Sequence, residues 1–161
     1  MNKKKIFIRC KAGKKDGWGN LQRQFNIAQL IDERSYKIIF FFQGTNKGYN
    51  FLKNKYTTIL ISKEIKLNQE KKIIEKYGIS DIFIIEQLKI TLNAQNIYSM
   101  LTKKLVIFDD LLDNNYNCAY LFCCQKNENF KKLKIKSNNI FIKSYYGYKY
   151  FPLSEQIVNI S

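Results

Sequence analysis

Two places in this chain hold residues that could do chemistry. The first lies within IFIRCKAGKKDGWGNLQRQFNIA, residues 6–28, and comprises Arg9, Gly17, Trp18, Gly19, Asn20 and Arg23. The second is the pair Asp109 and Asp110, which closes the apolar run LVIF. A glycine-bearing loop between a strand and a helix lets backbone N–H groups approach an anionic group at the helix start. The same glycines equally serve a plain tight turn that needs positive φ. Arg23, one turn after Asn20, can face a cleft or solvent, and Trp18 can cover a sugar face or shield the loop. Aspartates at a strand end can act as bases, or they can cap a helix or close a turn. The chain has no histidine, so no imidazole is available as general base.

The elements that must position these groups are legible from hydrophobic periodicity. Strands are expected at Lys5–Arg9, Ile38–Phe42, Thr57–Ile61, Ile82–Ile85, Leu105–Phe108 and Cys118–Cys123, with a short one at Ile140–Lys143. Helices are expected over 20–33, where Leu21, Phe25, Ala28 and Ile31 share a face, and over Tyr49–Lys53, Glu70–Lys76 and Ala94–Leu101. Gly44 and Gly48 are expected to flank a turn, and Gly78 to end the third helix. Strands alternating with helices, several of them continuous apolar runs, predict a Rossmann-like α/β domain. Its sheet should be mostly parallel, with helices on both faces. Segment 127–139 reads as a polar, basic loop, and SYYGYKYFPL as an aromatic terminal segment that packs on the core. A chain of 161 residues fits one domain with a real core.

Composition narrows the partners. The net charge is +15, carried almost entirely by lysine, with Arg9, Arg23 and Arg34 the three arginines. The lysines are spread along the sequence rather than set in one block, so nucleic acid is set aside as a partner, and a basic nucleic-acid-binding module is the reading from another class. No apolar run is long enough to span a bilayer, and the basic N-terminus lacks the apolar stretch of a signal peptide, so a cytoplasmic chain without a membrane partner is expected. Cys10, Cys118, Cys123 and Cys124 show no C-x-x-C spacing. They read as small buried residues, and neither a metal nor a cofactor is expected.

Three blocks carry a family resemblance: IRCKAGKKDGWGNLQRQFNIA, LVIFDDLLDNNYNCAYLFCCQ and YYGYKYFPLSEQI. In this order, the first without gaps, they resemble the N-terminal domain of the UDP-2,4-diacetamido-2,4,6-trideoxy-β-L-altropyranose hydrolases of pseudaminic acid biosynthesis. That family has the GT-B glycosyltransferase architecture and uses water as acceptor. Arg9, Gly17, Gly19, Arg23, Asp109 and Asp110 match the family pattern. Asn20 stands where the family has the histidine thought to be its base, and Lys11 where it has an aspartate. Ala119 and Cys123 replace an aspartate and an asparagine, and Tyr150, Leu153 and Ser154 stand for a tyrosine, a leucine and an arginine. The resemblance implies a UDP-sugar ligand and a retained fold with weakened chemistry. Asparagine can hold a water but cannot take its proton, and loss of a general base costs ~10²–10⁴-fold. GT-B proteins bind the nucleotide mainly through a C-terminal domain, which would begin about where this chain stops, at Ser161. The resemblance therefore implies half a cleft, inactive or nearly so alone, or one subunit of a split enzyme completed by a separate nucleotide-binding domain.

Overall fold

A computed structural model describes residues 3–13, 17–87, 90–112, 115–124, 142–146 and 152. Seven strands form one sheet: β1 (Lys4–Ala12), β2 (Tyr36–Gly44), β3 (Thr57–Leu60), β4 (Ile82–Glu86), β5 (Leu105–Phe108), β6 (Tyr120–Cys123) and β7 (Lys143–Tyr146). Four helices alternate with the first five: α1 (Gly19–Gln29), α2 (Asn46–Lys53), α3 (Leu67–Glu75) and α4 (Leu92–Ser99). The strand order is β3-β2-β1-β4-β5-β6-β7, and every pairing is parallel. This is the doubly wound, Rossmann-like order extended by one strand.

Alternation along β1 explains the two layers. Ile6, Ile8 and Cys10 share a cluster with Leu21 and Ala28 of α1 and Leu52 of α2. Phe7 faces the other way, into a cluster with Ile74 of α3 and Tyr98 of α4. In that second layer Phe7 meets Phe41 and Phe83 edge to face, at 5.2 and 5.7 Å between ring centroids. Such pairs contribute about 0.5–1.5 kcal/mol beyond their burial. Both faces of the central strands are covered, which is why they read as unbroken apolar runs.

Where boundaries moved, the reason is local. The first helix stops at Gln29 rather than 33, because the Asp32 carboxylate accepts from the Arg34 N–H and the Ser35 hydroxyl and turns the chain toward β2. Gly48 lies inside α2 instead of flanking a turn: the Thr45 hydroxyl accepts from its N–H and starts the helix there. Gly44 is glycine for a packing reason, since a Cβ there would lie 2.0 Å from the Ala12 carbonyl oxygen on β1. Gly78 takes φ +79° just past α3, the left-handed geometry that ends a helix. The strand expected at 140–143 is met as β7, three residues later, while segment 127–139 and most of the aromatic terminal segment lie outside the described residues. No helix among the described residues is long and apolar enough to cross a membrane.

Candidate functional site

The chain leaves β1 for β2 on one side of the sheet and returns to β4 on the other, so a crevice opens at the carboxyl ends of β1 and β4. A cavity of about 190 Å³ lies at these carboxyl ends, lined by Asn20, Arg23, Glu86, Gln87, Phe108, Asp109, Asp110 and Leu111. The helix start supplies Asn20 and Arg23, the end of β4 and the residue after it supply Glu86 and Gln87, and β5 with the turn after it supplies the rest. No side chain caps the first turn of α1, and no acidic residue sits in it.

Arg23 is the centre of the site. Its Nε donates to Glu86 Oε1 at 2.7 Å, its Nη2 donates to the same oxygen, and its Nη1 donates to Asp110 Oδ2 at 2.8 Å. The guanidinium lies 5.9 Å from the Phe108 ring centroid. Burial alone would lower its pKa, but the two carboxylates more than reverse that. Gln24 Nε2 donates to Glu86 Oε2 at 2.6 Å, while Gln24 Oε1 is buried without a hydrogen-bond partner among the described residues. Burial pushes the Glu86 carboxyl above the ordinary range, with Arg23 and Gln24 pulling against it. Glu86 is the residue that sequence reasoning missed. Its signal was present: a lone carboxylate closing the buried run IFII at the crevice.

The two aspartates separate in role. Asp109 Oδ1 accepts from the N–H of Leu111 at 2.9 Å, and its Oδ2 accepts from the Tyr116 hydroxyl at 2.8 Å. These bonds close the turn after β5, and the residue borders the cavity. Asp110 bonds Arg23 and also accepts from the Cys124 N–H at 2.7 Å, which ties the end of β6 to the site. Its side chain is 16% exposed against 3% for Glu86, so Asp110 is the carboxylate a ligand meets first.

Arg9 does not join this cavity. It points into the α3–α4 layer, where its Nε donates to Glu70 Oε1 at 2.6 Å and its Nη2 to Gln43 Oε1 at 3.1 Å. The Tyr98 hydroxyl donates to Glu70 Oε1 at 2.8 Å, and Gln43 Nε2 donates to the Ser62 carbonyl. Arg9 thus fastens the ends of β1 and β2 to α3. The glycine loop also stands outside the cavity lining. Gly17 takes φ +71° and its N–H donates to the Gly13 carbonyl, so it serves a turn, whereas a Cβ on Gly19 would meet nothing within 4 Å. Trp18 precedes α1, half exposed, with Lys47 Nζ 5.5 Å from its ring centroid.

The four cysteines are buried thiols, and no group of ligands suited to a metal occurs among the described residues. Neither protein-family models nor curated proteins give a match to this chain.

The lining defines what the cavity can hold. Two carboxylates bond one guanidinium and a third, Asp109, borders the cavity, so the pocket offers acceptors, and an unshielded phosphate would be repelled. Pockets for complete small ligands run about 300–1,000 Å³, so this one has room for a single ring-sized group. A neutral ring of that size bearing hydroxyl or amide N–H donors meets both conditions.

Proposed function

We propose that this domain holds the sugar ring of a nucleotide-linked sugar and forms the sugar-side wall of a hydrolase or transferase of the GT-B type. The observation that carries the reading is the lining of one cavity by Asn20, Arg23, Glu86 and Asp110, at the crevice where α/β sheets bind ligands. Arg23 and Asp110 match the resembled hydrolases, and Asn20 stands at their histidine position. The Asn20 amide can donate to an acetamido carbonyl or hydroxyl oxygen and accept from an acetamido N–H or a hydroxyl, which positions a sugar but removes no proton. Hydrolysis by this chain alone is therefore slow, by roughly 10²–10⁴-fold relative to a histidine-bearing site.

Saturation-transfer NMR with the UDP-linked diacetamido sugar tests this. Transfer concentrated on sugar protons, and lost in Asp110→Ala, is expected. Transfer confined to the uracil, or none, overturns the sugar reading; UDP release at enzyme-like rates overturns the claim of weak chemistry.

A second reading, a subunit of a split nucleotide-sugar enzyme, has its own support. Trp18, Leu60, Leu92 and Leu111 are exposed, and all lie at the carboxyl end of the sheet, the end where the crevice opens. Apolar groups so placed suit the docking of a second domain.

A further inference from the structure

The opposite end of the sheet carries a different surface. In an all-parallel sheet every strand starts at the same edge, so residues far apart in sequence are gathered there. Lys3 and Lys4 stand at the start of β1, Lys37 at β2, Lys55 before β3, Lys104 before β5 and Lys143 at β7. All six are exposed. With strands ~4.8 Å apart, the row spans roughly 29 Å. Of the acids at this end, Asp32 is bonded to Arg34 and Asp81 to Lys103, and Glu33 adds one carboxylate beside the cavity, so the six lysines keep a net positive charge.

Helices that follow parallel strands end at this same edge, and their exits add a second kind of group. Leu30 closes α1, Met100 closes α4, and Ile79 lies between α3 and β4. They are 62%, 65% and 62% exposed, the three most exposed large apolar side chains among the described residues. Leu30 stands on one side of the lysine row, and Ile79 and Met100 on the other. Between the starts of the first three strands lies a cavity of about 310 Å³, lined by Lys3, Lys37, Lys55, Tyr36 and Glu33 among others.

From this arrangement we propose that the amino-end face docks on the surface of an anionic phospholipid bilayer. The lysines meet the headgroup phosphates, one of them seated in the 310 Å³ cavity, and Leu30, Ile79 and Met100 enter the interface. A basic row alone would suit a nucleic-acid backbone equally. Three protruding aliphatic side chains have no partner there, whereas the acyl boundary of a bilayer takes them. The contact is peripheral and needs no membrane-spanning segment. It also leaves the crevice at the other end of the sheet open to ligand.

Vesicle flotation of the full chain tests the proposal, with phosphatidylglycerol-containing vesicles against pure phosphatidylcholine. Binding to the anionic vesicles, weakened by salt, is expected. Lys37→Gln and Lys55→Gln should each lower the partition coefficient about fivefold. Leu30→Ser with Met100→Ser should lower it about tenfold or more. These side chains are exposed, and an unchanged circular dichroism spectrum excludes misfolding as the cause. Equal binding to both vesicle types, no binding, or indifference to the apolar pair would each overturn the proposal. So would preferential binding of a duplex oligonucleotide that the apolar substitutions leave untouched, which would give the face to nucleic acid instead.

Discussion

Replacing Arg23 by methionine should expose the electrostatics of the crevice most directly. The change keeps much of the side-chain volume but removes the cation that Glu86 and Asp110 share. Asp110 is partly solvated and keeps some compensation. Glu86 is 3% exposed and keeps only Gln24 as a bonding neighbour among those described. Breaking a buried pair by removing one partner costs about 3–5 kcal/mol. With a urea dependence of ~2 kcal/mol per molar, the midpoint should fall by about 2 M. The cost must also depend on pH. Burial already raises the Glu86 carboxyl above its ordinary 4.5, and loss of Arg23 removes the main opposing influence. The folded variant then holds a proton that the unfolded chain releases near its ordinary pKa. Stability is therefore greatest below that value and is lost as pH rises toward the folded pKa. A protonated Glu86 also has an acceptor at hand, since rotation of the Gln24 amide presents the unpartnered Oε1. Urea titrations by circular dichroism at about pH 5 and pH 8 should show a much smaller penalty at the lower value. Adding Glu86→Gln to the variant should restore most of the loss at the higher one. A penalty that is the same at both pH values, and that Glu86→Gln leaves in place, would refute the assignment of Glu86 as the buried charge that Arg23 compensates.

Two further predictions concern the frame. Gly44→Ala should cost more than ~3 kcal/mol, because its Cβ meets the Ala12 backbone at 2.0 Å, while Gly19→Ala, which meets nothing, should be neutral or stabilising by about 0.4–1 kcal/mol; thermal melts of the pair decide it. The Cys10 and Cys118 thiols are pushed up to about 12 and that of Cys124 to about 11 by burial, so a thiol reagent at neutral pH should label none of these until the protein unfolds globally; rapid labelling of the folded chain would refute this.

The fold was legible because its signals are redundant. Runs such as KIIFFF and DIFIIE carry no polar face, which fits only strands covered on both sides, and the helices between them show apolar residues at helical spacing. Element ends were less legible because side-chain bonds set them. Nothing in the apolar pattern around 29–33 states that Asp32 will accept from Arg34 and Ser35 and halt α1. Thr45, by contrast, is a helix-starting residue in plain view, but the two glycines beside it carry an equally strong turn signal. Gly48 is glycine because it packs where a Cβ would come within 2.6 Å of the Phe42 ring, a constraint of tertiary contact that no local pattern carries.

The site was legible only in part, and the reason is the period of the strand. Arg9 and Glu86 lie on neighbouring central strands, Glu86 closing β4 and Arg9 in the carboxyl-terminal half of β1, in a register that pairs Glu86 with Cys10, one residue past Arg9. One residue along a strand reverses the face. Arg9 therefore enters the α3–α4 layer to meet Glu70, whereas Glu86 enters the α1 layer to meet Arg23. Matching Arg9 to a family motif places it at the correct strand end but does not state which face its side chain takes. A pattern of apolar residues cannot state it either, because on a strand buried on both faces neither parity is marked as outward. The side chain opposite decides, and here each buried arginine is opposed by a glutamate from an element distant in sequence. That pairing also explains how two guanidiniums are held within the sheet layers. Each charge is neutralised across a layer, and Asp110, 16% exposed, is the carboxylate of the Arg23 network more open to solvent.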